Sequence, residues 1–188
     1  MINYETAKEI TVSTTIQLEK IPLNFEGQIY IRASATSRYY IKILHKYNHP
    51  IKVIGKTNIT IYHDAEVEVY DDSKVEAYNF SKVKAYDNSK VEAYDNSKVE
   101  AYDNSSINSY NKSEVEAYNF SKVKAYINSV VILHDESSAT SYNKSSIKAY
   151  DKSSVVAYDK SSVEIYDKSS IKTYDNSTVK LFDDWKNV

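Results

Sequence analysis

Cysteine is absent from this chain of 188 residues, and glycine and proline occur only twice each. Without Cys there is no disulfide framework and no thiolate chemistry. After Gly55 neither Gly nor Pro appears again. Asn and Asp must therefore supply whatever left-handed backbone the turns require, and a Gly-rich phosphate loop is excluded. No apolar run approaches the roughly 20 residues that span a bilayer. The opening residues Met1-Ile2-Asn3-Tyr4-Glu5-Thr6 lack the basic start and apolar core of a secretory signal, so the expected location is cytoplasmic. With 24 basic and 26 acidic side chains, a net charge of −2 excludes a polyanion binder driven by bulk charge. The apolar fraction is 41%, but 19 residues are Tyr. Removing them leaves roughly 31%, below the roughly 45–50% of ordinary globular domains.

What the chain has instead is a repeat. From Ile51 onward it recurs every eight residues, 17 times, and the clearest unit is Val91 to Lys98, Val-Glu-Ala-Tyr-Asp-Asn-Ser-Lys. The first position is Val or Ile in 16 units, with Ala139 the exception. The fourth is Tyr in 14, with Ile54, His134 and Phe182 the exceptions, and the seventh is Ser in 14. Eight residues at 100° each leave a drift of about 80° per unit, so a straight helix would spiral its Val positions around the axis. Val, Ile and Tyr favour strands, and Asp-Asn-Ser clusters favour turns. Alternation then points Ser89, Val91 and Ala93 inward and Lys90, Glu92 and Tyr94 outward.

One octad spans at most about 26 Å, too short to close a coil, so a coil contains two octads or three. The charged second position decides between them, because stacked rungs lie about 4.8 Å apart and like charges repel. With 16 residues per coil one column reads Lys52, Glu68, Lys84, Glu100, Glu116, Ile132, Lys148, Glu164, Lys180. Both columns together then make five opposite-charge contacts and two like; with 24 residues the counts become two and five. Val, Ala and Ser also fill a gap between two sheets better than a triangular core. The sequence therefore predicts an all-β fold: a parallel two-sided β-solenoid of about 8.5 coils and roughly 40 Å.

Residues 1–50 contain both Pro and one of the two Gly and read as an N-terminal cap with an irregular first coil, ahead of the octad solenoid at 51–186. Strands are expected over Glu9–Thr14, Gly27–Arg32 and Tyr40–Leu44, with a short helix over Thr15–Lys20. At the other end Leu181, Phe182 and Trp185 are expected to plug the last rung. The Ser-Lys-Val-Glu-Ala-Tyr-Asp-Asn units, after a lead containing Thr-Val-Ser-Thr and Phe-Glu-Gly-Gln-Ile-Tyr-Ile, resemble octapeptide-repeat proteins of phages and bacteria. The resemblance implies a β-solenoid and a mobile-element setting, and no function. Many members of that family have Gly where this chain turns with Asp or Asn.

Three features invite a functional reading. Fourteen Tyr at the fourth position should form two outer ladders, either stabilising stacks or a flat Tyr/Ser/Lys/Glu surface of the kind paratopes use. A column of Asp at the fifth position could bind Ca²⁺ as Asp-containing turns do in β-rolls, but those turns rely on Gly. The expectation is instead an Asx turn, each Asp accepting from a backbone N–H two residues on. Third, the pattern breaks from Ile127 to Ser141. Val130, Ile132 and His134 should share one outer face, with Tyr118 and Phe120 one rung below and Tyr150 one rung above. An exposed apolar patch of this kind marks an interface, so these residues, with Ile127, are the candidate partner-binding set.

Nothing points to catalysis. His45, His49, His63 and His134 are scattered, and no catalytic, metal-binding or cofactor-binding residue is assigned. The expected function is a non-catalytic scaffold that binds another protein through its Tyr-rich faces or forms a homodimer. Membrane, nucleic acid, small-molecule ligand and cofactor are not expected. The alternatives are a phage-encoded inhibitor of a host defence or DNA-processing enzyme, by DNA mimicry or steric blocking, and a structural tail or self-assembly module.

Overall fold

The computed structural model describes residues 3–33 and 40–182. The chain opens with strand β1 (Glu9–Val12), a short helix α1 (Thr15–Glu19), β2 (Gln28–Ile31) and β3 (Ile41–Ile43). The octads follow as β4 (Ile51–Val53), β5 (Asn58–Ile61), β6 (Glu66–Val69), β7 (Lys74–Ala77), β8 (Lys82–Ala85), β9 (Lys90–Ala93), β10 (Lys98–Ala101) and β11 (Ser106–Ser109). They continue as β12 (Glu114–Ala117), β13 (Lys122–Ala125), β14 (Val130–Leu133), β15 (Ser138–Ser141), β16 (Ser146–Ala149), β17 (Ser154–Ala157), β18 (Ser162–Tyr166), β19 (Ser170–Thr173) and β20 (Thr178–Phe182).

Successive octads alternate between two sheets. Among the described residues the long sheet runs β1-β2-β4 and then through the even strands to β20, and the short sheet takes the odd strands from β3 to β19. Every pairing is parallel, and within the octads each residue lies beside the one 16 positions away, as in Val99↔Val115 and Val91↔Ile107. The molecule is a two-sided β-solenoid of about ten coils with 16 residues per coil. At about 4.8 Å per strand the long sheet extends roughly 48 Å. The 17 octads account for 8.5 of these coils; β1, β2 and β3 extend the same two sheets. Gly27 is required where β2 begins, because a Cβ there would lie 2.3 Å from the Phe25 ring and 2.7 Å from the Lys8 carbonyl.

Helix α1 takes the place of a strand beyond β3 at the end of the short sheet. Thr14 caps it by accepting from the Gln17 N–H at 3.2 Å, and Leu18 is buried. Tyr47 Oη donates to the Leu18 carbonyl at 3.1 Å, and the Lys42 N–H donates to Thr15 Oγ1 at 2.9 Å. The helix thus covers an edge that would otherwise template another strand. At the opposite end Leu181 is 67% exposed. Phe182 does not plug the last rung; it continues the aromatic ladder, 4.7 Å from Tyr166. Trp185 lies outside the described residues.

The interior holds the first, third and seventh positions of the octad: Val or Ile, Ala, and Ser. Burying a hydroxyl is tolerated only when it is bonded. Most corners meet that condition locally, with Ser121 and Ser169 the exceptions. Ser105 Oγ donates to the Tyr102 carbonyl at 2.6 Å and Ser113 Oγ to the Tyr110 carbonyl at 2.8 Å, while Ser97 Oγ also reaches the Ala77 carbonyl of the preceding coil at 3.0 Å.

The Asp corners differ from the expected Asx turn. The Asp carboxylate accepts from the backbone N–H of the equivalent residue one coil earlier: Asp71 from Gly55 at 2.7 Å, Asp135 from Asn119 at 3.2 Å, Asp151 from Asp135 at 3.1 Å. The physical reason is the stacking distance, which places the next carboxylate opposite a corner N–H that no strand partner reaches. The corner residues themselves adopt the left-handed region, for example Asp71 at φ 58° and Asp135 at φ 56°.

Ile107→Ala, which empties a fully enclosed site on β11, is expected to cost about 2–5 kcal/mol. Thr140→Ala on the outer face of β15 should stay within about 0.5 kcal/mol. Urea unfolding of the two variants checks both values.

Candidate protein-binding face

The outer face of the long sheet carries three columns of side chains. From β6 onward each strand presents its first and third residues outward, and the aromatic residue that follows them. The first column holds Glu66, Lys82, Lys98, Glu114 and Val130; the second holds Lys52, Glu68, Lys84, Glu100, Glu116, Ile132, Lys148, Glu164 and Lys180. Ion pairs cross the rungs: Lys82–Glu66 at 2.8 Å, Lys98–Glu114 at 2.7 Å, Lys84–Glu100 at 2.9 Å, Lys148–Glu164 at 3.2 Å and Lys52–Glu68 at 3.6 Å. Such exposed pairs contribute about 0–1 kcal/mol each, so they set register more than stability.

The short sheet is different. Its rungs set Lys74 beside Lys90 and Glu76 beside Glu92, and among the described residues no Lys–Glu ion pair crosses its rungs. The opposite-charge contacts expected from the sequence thus all belong to one face.

The third column is the aromatic ladder. On the long sheet it runs from Tyr70 to Phe182 with ring centroids 4.5–5.4 Å apart and planes within 12° of parallel. On the short sheet an unbroken row of Tyr runs from Tyr62 to Tyr174 with centroids 4.8–5.5 Å apart. Each ring covers the faces of its neighbours, so the π-faces are not free to stack on a nucleobase or a sugar. What the ladders present is ring edges and hydroxyls.

Those hydroxyls are tied down as well. Tyr70 Oη donates to Glu68 at 2.9 Å, Tyr102 to Glu100 at 2.9 Å and Tyr94 to Glu92 at 2.7 Å. Burial within the stack, then the adjacent carboxylate, raises the pKa of these phenols above the ordinary 10.0; Tyr118 is pushed up to about 12. Burial also raises the Glu100 carboxyl, but hydrogen bonds from Lys84 and Tyr102 outweigh it and hold the group below its usual range.

The break in the pattern falls on this face. Val130, Ile132 and His134 are successive outward residues of β14 and its exit. His134 replaces Tyr in the ladder, 4.8 Å from Tyr118 and 5.4 Å from Tyr150, and its Nε2 lies 3.2 Å from Glu116 Oε1. The structure therefore brings together Tyr118, Val130, Ile132, His134 and Tyr150. Phe120 and Ile127 are both exposed but occupy opposite corners, at the exits of β12 and β13, so they flank the face from its two sides. A shallow groove of about 480 Å³ runs along the first two columns from Pro50 to Val130 and Ile132, floored by Val67, Val83, Val99 and Val115. The groove was not apparent in the sequence, although the two columns that form it were.

Ile127 adds an energetic sign. It stands at φ 45° and 47% exposed, in a column whose other corners are His63, Asn79, Asp95, Asn111, Asn143, Asp159 and Asp175. Those residue types tolerate left-handed backbone; a β-branched residue does not. Strain held at an exposed position points to a role outside the fold. Phe80, at φ 66° and 63% exposed, is a second such residue, missed in the sequence because its corner otherwise looks ordinary.

Among the described residues no three His, Asp or Glu side chains cluster in a metal-ligating arrangement, and no helix is long and apolar enough to cross a membrane. Comparison with family models, with curated proteins and with solved structures finds no match to this chain.

Replacing Ile127 with Asn should stabilise the protein by about 1 kcal/mol, through relief of the left-handed strain; a melting temperature equal to or below that of the parent contradicts this. The ladders predict a pH limit. An unfolded Tyr ionises near 10, whereas the folded phenols of Tyr70, Tyr94, Tyr102 and Tyr118 are raised. Stability is thus fully present below pH 10 and is lost as pH rises through the folded values. Ultraviolet titration should show the tyrosinate of these four residues appearing in one cooperative step that coincides with loss of the β-sheet circular dichroism signal.

Proposed function

We propose that the protein is a non-catalytic binding scaffold whose working surface is the outer face of the long sheet. The observation that carries this reading is the apolar interruption of an otherwise charge-paired face: Val130 and Ile132 between rungs of Lys and Glu, with the strained Ile127 at its edge. The solenoid supplies a rigid surface, so little conformational entropy is lost when a partner docks. Val130 and Ile132 form the desolvated centre, and the Lys/Glu columns fix orientation around it. His134 and the Tyr edges widen the contact.

The absence of catalysis is supported by the chemistry available. Most carboxylates on this face are bonded to Lys or Tyr across or along the rungs, and Glu116 to His134, which suits anchoring rather than proton transfer. The resemblance to octapeptide-repeat proteins of phages and bacteria supports a scaffold working in the cytoplasm of a producing or infected cell. Steric blocking of a host defence or DNA-processing enzyme is the form of inhibition this surface favours. DNA mimicry draws less support, because the Asp column is occupied with backbone N–H groups and the face carries equal numbers of Lys and Glu.

The test compares the parent with Ile132→Lys and with Thr140→Lys on the opposite sheet, in a pull-down from host lysate read by mass spectrometry. Both variants should melt within a few degrees of the parent. Ile132→Lys should lose the captured partner or the self-association, while Thr140→Lys retains it. Equal behaviour of the two variants would remove the long-sheet face from consideration.

A further inference from the structure

We infer that the partner of the long-sheet face is a second copy of this chain, packed face to face with its solenoid axis antiparallel. The inference rests on the reading of that face as a binding surface and names its occupant. It follows from the periodicity of the columns and from the order of their charges.

Periodicity comes first. A partner that stays in register with columns spaced about 4.8 Å must itself repeat at that spacing. A helix advances about 5.4 Å per turn and slips a whole rung across eight strands. An extended peptide laid along the axis places same-side residues about 6.8 Å apart. A stacked parallel sheet matches at every rung, and the sheet known to have this spacing and chemistry is the protein's own.

The charge order then selects one arrangement. Let a two-fold axis run parallel to the strands, between the facing sheets, midway between β12 and β14. It sets β10 against β16 of the second copy, β8 against β18, and β6 against β20. In the second column this opposes Glu100 to Lys148, Lys84 to Glu164, and Glu68 to Lys180, and symmetry doubles each pair. No like charges face each other. In the first column Lys98, Lys82 and Glu66 meet the neutral Ser146, Ser162 and Thr178. Val130 and Ile132 lie beside the axis. Across from them are Glu114 and Glu116, already bonded to Lys98 at 2.7 Å and His134 at 3.2 Å.

Neighbouring arrangements fail. Placing the axis on β12 sets Glu116 against its own mate, Lys84 against Lys148 and Glu68 against Glu164. Placing it on β14 sets Glu100 against Glu164 and Lys84 against Lys180. Parallel solenoids would oppose Glu66 to Glu68, Lys82 to Lys84 and Glu114 to Glu116. Like-charge juxtaposition of this kind suppresses wrong partners. The face spans eight rungs and three columns, roughly 35 Å by 20 Å or about 700 Å² a side, close to the ~800 Å² per partner of a standard specific interface.

Sedimentation equilibrium on the full chain tests the inference. The parent should be dimeric at micromolar concentration. Lys84→Glu and Glu164→Lys each replace two attractive contacts with two repulsive ones, so each alone should weaken dimerisation by about tenfold or more. An equimolar mixture of the two should recover the parent's affinity as a heterodimer, because each altered charge then meets its complement. Circular dichroism of each variant verifies that the solenoid is intact. A mixture no tighter than its components overturns the arrangement. A monomeric parent whose Ile132→Lys variant still loses a captured host protein overturns self-association and leaves the binding face standing. A monomeric parent with no partner dependent on Ile132 removes both.

Discussion

The parallel ladder between a residue and the one 16 positions later governs this molecule. It sets every side chain about 4.8 Å above a copy of its own position, so each column must be made of something that stacks well on itself. Val, Ala and bonded Ser do so inside. Tyr does so outside, ring over ring. Asp does so at the corners by accepting from the backbone N–H one coil back, which turns a column of like charges into a hydrogen-bonded series. Lys and Glu stack on themselves only at a cost, and the long sheet reduces it by setting most Lys beside Glu, with Lys82 beside Lys98 and Glu100 beside Glu116 the two exceptions.

That constraint also explains why the two faces differ. The short sheet leaves Lys over Lys and Glu over Glu in its early rungs, and its later rungs hold mainly Ser, Thr and Asn with Lys122, Lys124, Val156 and Lys172 among them. The long sheet sets most of its Lys beside Glu, with Lys82 beside Lys98 and Glu100 beside Glu116 the exceptions, and it carries one apolar rung, at Val130 and Ile132. A single apolar rung gives the face a definite centre, and a surface with a centre can specify a register. The ladders contribute rigidity: with ring faces covered and the hydroxyls of Tyr70, Tyr94, Tyr102 and Tyr166 bonded to Glu, they hold the columns in place and leave recognition to the charged and apolar residues beside them.

Much of this was legible in the residues. The octad period, the inward set of Val, Ala and Ser, and the preference of Lys52, Glu68, Lys84 and Glu100 for 16-residue spacing all reflect local rules or nearest-neighbour electrostatics. So does the single outer face shared by Val130, Ile132 and His134. The corners were not legible in the same way. Whether an Asp carboxylate turns to its own loop or to the coil below depends on the height of the stack, which no local pattern encodes. Nor could spacing show that Phe120 and Ile127 flank the face from opposite sides, or that Ile127 and Phe80 occupy left-handed backbone. The groove between the first two columns follows from how neighbouring rungs pack their Lys and Glu side chains, which no local pattern encodes.

The central claim is the 16-residue register, and the absence of native Cys makes it open to a clean cross-linking measurement. Thr140 and Val156 are neighbours on adjacent strands of the short sheet, at a spacing of about 4.8 Å that lies within the Cα range of a disulfide. Thr140→Cys with Val156→Cys should oxidise readily to an intramolecular disulfide in the folded protein. Thr140→Cys with Glu164→Cys, the pair that a 24-residue coil would stack, should not. The reverse result would contradict the two-sided solenoid and every column built on it.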